Sequence, residues 1–236
     1  MGSESSDSDV STSVFKILVL GNGGVGKTSL IRRYCSAEFA GTYRQTIGVD
    51  FFSNKVELPG RREVTLEIWD VGGQQTGGAM IDSYVMGASA IFLVYDVTSR
   101  ESFNGIEHWN ACVNESLARQ AKEHVEGEGE PLVPLIVLVG NKSDLPGRQI
   151  SSAEHRSIAD SHQMESCIVS ALSGERVKKL FMHLAAMLCG VRLPEEVFCA
   201  EDPIVANVGV GLDVTPAATG KNSACVAKKK RHCKMM

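Results

Sequence analysis

Gly21-Asn22-Gly23-Gly24-Val25-Gly26-Lys27-Thr28 decides how the rest of the chain is read. Its spacing is G-x-x-x-x-G-K-[ST], the pattern of a phosphate-binding loop. The flanks agree with it. The apolar run Val14-Phe15-Lys16-Ile17-Leu18-Val19-Leu20 reads as a buried strand, and Ser29 to Ala37, free of Gly and Pro, reads as a helix. Glycines let the backbone wrap a phosphate chain so that several N–H groups point at it. The following helix presents its positive N-terminal end to the same anion. Lys27 is expected to reach the β- and γ-phosphates and the Thr28 hydroxyl to ligate Mg2+. The loop specifies a nucleoside triphosphate. It specifies neither the base nor the use made of the energy.

Outward from this loop, 236 residues leave room for one domain of ordinary size plus tails. The content, 43% hydrophobic and 22% charged, is that of a globular protein, and a net charge of −4 gives no general case for nucleic-acid binding. The charge is unevenly placed. Residues 1–13 carry Glu4, Asp7 and Asp9 without a base, whereas residues 221–236 carry Lys221, Lys228, Lys229, Lys230, Arg231 and Lys234 without an acid. The seven cysteines are scattered and never spaced C-x-x-C, which argues against a disulfide framework or zinc site and for a reducing compartment. No run of about 18 apolar residues and no secretory signal are expected. Met1-Gly2-Ser3-Glu4-Ser5-Ser6 fits a loose myristoylation pattern, but acidic residues follow it, and a solvated tail is the preferred reading.

Strand and helix patterns alternate along the middle of the chain. Val49 to Leu58 and Glu63 to Trp69 flank the turn signal Pro59-Gly60-Arg61-Arg62 and form an antiparallel hairpin. Ser89 to Val97 and Leu132 to Val139 are β-rich apolar runs, and Cys167 to Val169 is a short strand. Ser99 to Arg119 is a helix with Phe103, Ile106, Trp109, Val113 and Leu117 on one face. Glu123 to Glu130 is an acidic loop. Ser151 to His162 is a helix capped by Ser151 or Ser152, and Gly174 to Cys189 is the last helix. The expectation is an α/β fold: a mostly parallel six-stranded sheet flanked by about five helices, with the ligand beyond the carboxyl ends of the strands. Residues 1–13 are expected as a disordered tail, 14–190 as the folded domain, and 191–236 as a flexible tail interrupted by Pro194, Pro203 and Pro216.

Further motifs fall at strand ends. In Trp69-Asp70-Val71-Gly72-Gly73-Gln74, Asp70 is placed to hold Mg2+, Gly73 to offer an N–H to a γ-phosphate and Gln74 to orient an attacking water. Thr46, in Thr46-Ile47-Gly48, can ligate Mg2+ and the γ-phosphate and release them after hydrolysis. Asn141-Lys142-Ser143-Asp144 follows the fifth strand. A carboxylate at Asp144 accepts from the N1–H and exocyclic amine of guanine, donors that adenine lacks there. Ser170-Ala171-Leu172 can supply a backbone N–H to guanine O6. The triphosphate becomes guanosine triphosphate.

With these motifs in order, residues 14–190 resemble a Ras-superfamily small GTPase, a P-loop GTPase domain. Thr46-Ile47-Gly48-Val49-Asp50-Phe51 and Leu93-Val94-Tyr95-Asp96-Val97-Thr98-Ser99-Arg100-Glu101-Ser102-Phe103 resemble the Rab family. The resemblance implies that Asn22, Gly23, Gly24, Val25, Gly26, Lys27, Thr28 and Ser29 line the phosphates, with Thr46 in the first switch and Gly73 in the second. Rab proteins usually read Asp-Thr-Ala-Gly-Gln-Glu-Arg-Phe where this chain has Asp70-Val71-Gly72-Gly73-Gln74-Gln75-Thr76-Gly77. Leu172 stands where a Lys is usual, and Gly77-Gly78 is expected to loosen the second switch. Together with Phe52 and a single-Cys end, these features resemble the divergent Rab branch numbered twenty-eight. An Arf-like protein would carry an amphipathic N-terminal helix and no prenyl box, and the sequence departs from both.

The resemblance implies a slow GTPase that regulates vesicle and membrane trafficking. A Ras-like signalling GTPase and a GTP-binding scaffold with little hydrolysis are the alternatives. It also implies exchange factors, activating proteins and effectors as partners of a monomer. Cys233-Lys234-Met235-Met236 has C-a-a-X geometry behind a basic run, with Cys225 as a site for a second acyl chain. Prenylation of Cys233, by a prenyltransferase and with a prenyl-binding chaperone, would place the protein on the cytoplasmic face of endosomal, plasma or ciliary membranes, exchanging with cytosol.

Overall fold

A computed structural model describes residues 13–37, 39, 44–60, 62–74, 78–123 and 132–194. In chain order these form β1 (Ser13–Leu20), α1 (Lys27–Ser36), β2 (Val49–Leu58), β3 (Arg62–Val71), α2 (Gly78–Val85) and β4 (Ala90–Asp96). Then follow α3 (Arg100–Glu123), β5 (Leu135–Asn141), α4 (Ser152–Ser161), β6 (Glu165–Ile168) and α5 (Val177–Leu188). The strands make one six-stranded sheet in the order β2-β3-β1-β4-β5-β6. Only β2 runs antiparallel to its neighbour, pairing Phe51 with Trp69 and Val56 with Val64 in the hairpin the sequence predicts.

Strand alternation divides the core between the two faces of the sheet. Ile17 and Val19 of β1, with Phe92 and Val94 of β4, pack under Leu30, Ile31, Phe181 and Leu184 of α1 and α5. Leu18 and Leu20, with Ile91 and Leu93, pack under Ile81, Val85, Ile106, Trp109 and Val113 of α2 and α3. Both faces are covered, so the central strands read as continuous apolar runs rather than as alternating ones. The Ser151 cap is present as a capping box: its hydroxyl accepts from Glu154 N at 3.1 Å, and Glu154 Oε2 accepts from Ser151 N at 2.9 Å.

Several elements differ from expectation: β6 spans Glu165–Ile168 rather than Cys167–Val169, and α5 starts at Val177 rather than Gly174. β5 starts at Leu135 rather than Leu132, because Pro134 lacks an N–H and the first ladder bond runs from Leu135 N to Ser89 O. Helix α3 continues to Glu123, which the sequence placed in the acidic loop; residues 124–131 lie outside the described residues. Gly78 begins α2, where Gly77-Gly78 suggested only mobility; the buried Ile81 and Val85 supply the tertiary packing that a short helix needs. No disulfide forms among the described residues. The expected tail residues 1–12 and 195–236, with Gly2, Cys225 and Cys233, lie outside them.

Candidate nucleotide-binding site

Topology fixes where the site lies. Chain order reverses on either side of β1, which pairs with β3 on one side and β4 on the other. The loops beyond the carboxyl ends of these strands frame the crevice where open α/β sheets take ligands. Gly26 ends the glycine-rich loop at φ 93°, a left-handed conformation, and serves as N-cap of α1 without a side-chain cap. The first amides of α1 therefore remain available to an anion.

Lys27 is buried, and its ammonium donates to Gly21 O at 2.7 Å and Asn22 O at 3.0 Å. Burial lowers its pKa to about 8, opposed by the Asp70 carboxylate. One residue on, the Thr28 hydroxyl donates to Asp70 Oδ2 at 2.5 Å and lies 2.8 Å from the Thr46 hydroxyl. Thr46 Oγ1 is 3.5 Å from the same carboxylate oxygen. Three segments thus bring hard oxygen donors to one point. Asp70 Oδ1 is buried there with no hydrogen-bond partner, and desolvation raises the Asp70 pKa despite its hydroxyl neighbours. A buried, unpartnered carboxylate oxygen beside two hydroxyls fits a small divalent cation such as Mg2+.

Close approach of backbones holds the segments in place. A Cβ on Gly73 would meet Gly23 N at 2.3 Å, so the end of β3 rests directly on the glycine-rich loop. Gly72 N donates to Gly48 O at 2.9 Å, which ties the Thr46 segment to the same strand end.

At the other end of the crevice, Ser170 Oγ donates to Asp144 Oδ1 at 2.5 Å. Asn141 is buried, and its amide joins three loops. Nδ2 donates to Val25 O at 3.0 Å, while Oδ1 accepts from Lys142 N at 2.8 Å and Ala171 N at 3.0 Å. Arg33 of α1, also buried, reaches across with Nε to Ala171 O at 2.9 Å, Nη2 to Leu172 O at 2.5 Å and Nη1 to Ala37 O at 2.9 Å.

The glycine-rich loop, the Thr28–Thr46–Asp70 cluster and the loops at Asn141–Asp144 and Ser170–Leu172 therefore lie together at one edge of the sheet, and residues 16–189 match the Ras family. The chain is a Ras-family small GTPase. It is Rab-like within that family. "Ras-related protein Rab-28" of Caenorhabditis elegans is 39% identical over 188 residues, covering 79% of this chain and 72% of the relative. "Ras-related protein Rab-3" of the same organism is 31% identical, covering 90% of each chain. "GTP-binding protein YPT1" of Saccharomyces cerevisiae is 36% identical, covering 74% of this chain and 79% of its own.

In this GTPase the structure gathers Lys27, Thr28, Thr46, Asp70 and Gly73 about the glycine-rich loop, and Asn141, Lys142, Asp144, Ser170, Ala171 and Leu172 at the far end. Other candidates are placed differently from their sequence-level role. The Asn22 side chain faces α3, accepting from Trp109 Nε1 at 2.9 Å, so only its backbone faces the cradle. The Asn141 amide and the Ala171 N–H are engaged with each other, so Asn141 holds loops together where the sequence suggested a ligand contact. Asp144 is exposed, not buried, and Gln74 is also exposed. Arg33 and Trp109 carry no local signal of the site in the sequence. Both lie on helices, and the long separation to their partners hides them from local pattern reading.

Proposed function

We propose that this Rab-like GTPase is a GTP-hydrolysing switch that regulates membrane trafficking. The carrying observation is the convergence of the Thr28 and Thr46 hydroxyls on the Asp70 carboxylate, with Gly73 against the glycine-rich loop. Thr46 comes from the first switch segment and Gly73 from the second, so one ligand at this point can order both. In this reading Thr28, Thr46 and Asp70 would hold Mg2+, whose charge would offset that of the phosphates. Asn22, Gly23, Gly24, Val25, Gly26, Lys27, Thr28 and Ser29 line the phosphates. Lys27 supplies the fixed positive charge. Asp144 reads the guanine edge, with Asn141, Lys142, Ser170, Ala171 and Leu172 shaping that pocket. Gln74 orients the attacking water, with intrinsic turnover on the order of 10⁻⁴ to 10⁻³ per second.

The likeness to Rab proteins supports the trafficking role and the partners that go with it: an exchange factor, an activating protein and effectors. Residues 14–190 form the switch domain in this proposal, and residues 191–236 carry it to membranes through lipid on Cys233 and the Lys228-Lys229-Lys230-Arg231 run. Among the described residues no helix is long and apolar enough to cross a membrane.

Single-turnover GTP hydrolysis tests the switch. Gln74→Leu should retain GTP and slow hydrolysis at least tenfold, and Thr28→Asn should bind GDP in preference to GTP. Wild-type hydrolysis in Gln74→Leu would refute the assignment of the second switch. Capture of partners from membrane extracts by Gln74→Leu over Thr28→Asn tests the trafficking role, and equal capture by both would count against nucleotide-dependent effectors.

A further inference from the structure

Asp96 lies at the last position of β4, in register with Asn141 of β5, and is buried. Thr98, Ser99 and Ser102 hold it. Its Oδ1 accepts from Thr98 N at 2.8 Å and from Thr98 Oγ1 at 2.7 Å. Its backbone N–H donates to Ser102 Oγ at 3.0 Å, and its carbonyl accepts from Ser99 N at 2.9 Å. The remaining carboxylate oxygen, Oδ2, faces Lys142 Nζ at 2.7 Å. That ammonium also donates to Gly24 O, in the glycine-rich loop, at 2.9 Å. Lys142 itself sits at φ 67°, a left-handed backbone that a lysine adopts only where its surroundings hold it.

A lysine side chain is flexible, and its ammonium is a mobile point charge that does not choose one rotamer unaided. Here the choice is made by a carboxylate that is itself immobilised by Thr98 and by the strand. The three groups form a bridge from β4 through Lys142 to the glycine-rich loop. A loop preformed in this way binds ligand without first being ordered, and loss of preorganisation shows mainly in dissociation.

We propose that Asp96 is a positioning residue for nucleotide retention: it fixes the Lys142 ammonium on Gly24 and so sets the rate at which bound nucleotide leaves. The proposal rests on the nucleotide reading above and adds to it a residue outside the crevice, which acts only through Lys142. Both phosphate states use the same bridge, so release of GDP and of GTP should accelerate together.

The test uses the full chain loaded with N-methylanthraniloyl-GDP and chased with excess GDP. Asp96→Asn keeps the shape and the Thr98 contacts but removes the charge facing Lys142. It should accelerate release about tenfold, within the usual range for coupled sites. Lys142→Ala should accelerate release at least as much, and the double variant no more than Lys142→Ala alone. Thr98→Val removes one donor to Oδ1 without touching either charge, so it serves where Asp96→Asn folds poorly. Its effect should be smaller, in the same direction, and absent in the Lys142→Ala background. Glu107→Gln, which alters the exposed contact with His162, should release at the wild-type rate. Release from Asp96→Asn within twofold of wild type overturns the proposal, as does equal acceleration by Asp96→Asn with and without Lys142, which would mark Asp96 as merely structural. Wild-type protein unable to bind the probe would defeat the nucleotide reading and this inference with it. Binding with unchanged release would defeat this inference alone.

Discussion

Gly72→Ala tests how tightly the first switch segment closes on the sheet. A Cβ at this position would lie 2.5 Å from Thr46 O and 3.3 Å from Gly48 O, both backbone atoms. The Gly72 N–H already donates to Gly48 O at 2.9 Å, so neither side has slack. Restoring an ordinary 3.4 Å contact needs the Thr46 segment to retreat by about 0.9 Å. The Thr46 hydroxyl stands 2.8 Å from Thr28 and 3.5 Å from Asp70, so a retreat of that size takes both contacts beyond hydrogen-bond reach. Each lost hydrogen bond costs about 1 kcal/mol, giving roughly 1–2 kcal/mol against the closed arrangement, or about 5- to 30-fold. If the closed arrangement is the GTP form, the substitution lowers affinity for GTP relative to GDP by that factor and leaves GDP affinity nearly unchanged. Competitive titration of N-methylanthraniloyl-GDP with GTP and with GDP, in Mg2+ buffer, reads the ratio directly. A ratio within twofold of wild type would show that the Thr46 segment does not give way to the added methyl. The Ala that Rab proteins usually carry at this position makes the experiment informative, because tolerance of alanine here would mean that the approach of Thr46 to β3 is no closer than theirs.

Asp144→Asn should lose the charge that faces the guanine edge and favour xanthosine triphosphate over GTP; unchanged preference in parallel titrations would show that Asp144 does not meet the base. Asn141→Ala strands Val25 O, Lys142 N and Ala171 N, and should cost about 3 kcal/mol in urea unfolding. A loss below about 1 kcal/mol would mean that the loops hold without it. His155 is 3% exposed, with Nδ1 2.9 Å from the Tyr95 hydroxyl and Nε2 unpartnered. Burial first, and then Arg148 and Arg156, lower its pKa to about 4 from the model-compound 6.5. The unfolded chain therefore binds a proton between pH 6.5 and 4 that the fold refuses, and stability falls as pH drops through that window. At about 1.4 kcal/mol per pH unit, wild type should lose about 2 kcal/mol more than His155→Gln between pH 7 and 5, and equal losses would exclude His155 as the titrating group.

What was legible in the sequence is what short-range spacing encodes. The glycine-rich loop, its strand and its helix occupy about two dozen consecutive residues, and the alternation of Ile17 and Val19 against Leu18 and Leu20 is local by nature. The convergence of Thr28, Thr46 and Asp70 was readable only as three motifs of known type, since nothing in their spacing states that they meet. Leu132 and Val133 show where apolarity misleads. They extend an apolar run but are 64% and 81% exposed, because Pro134 ends the ladder before them.

The groups that hold the site together meet partners far away in the sequence. Asn22 is shaped by Trp109, 87 residues away, and Arg33 by Ala171 and Leu172, 138 and 139 residues away. Beside the exposed Arg32, Arg33 would ordinarily keep its charge in solvent too. Its burial becomes tolerable only because three backbone carbonyls converge on the guanidinium, and those carbonyls come from a loop after β6 and from the end of α1. A buried cation satisfied by carbonyls has no local signature, since carbonyls are common to every residue. The arrangement nonetheless has a consequence. The Ser170-Ala171-Leu172 loop and Ala37, where α1 ends, share one side chain, so displacing either shifts the other's hydrogen-bond partner. Among the described residues the Arg33 guanidinium thus joins the base end of the crevice to the end of α1, and Arg33→Lys, which keeps the charge but not the three-way fork, separates charge from geometry there.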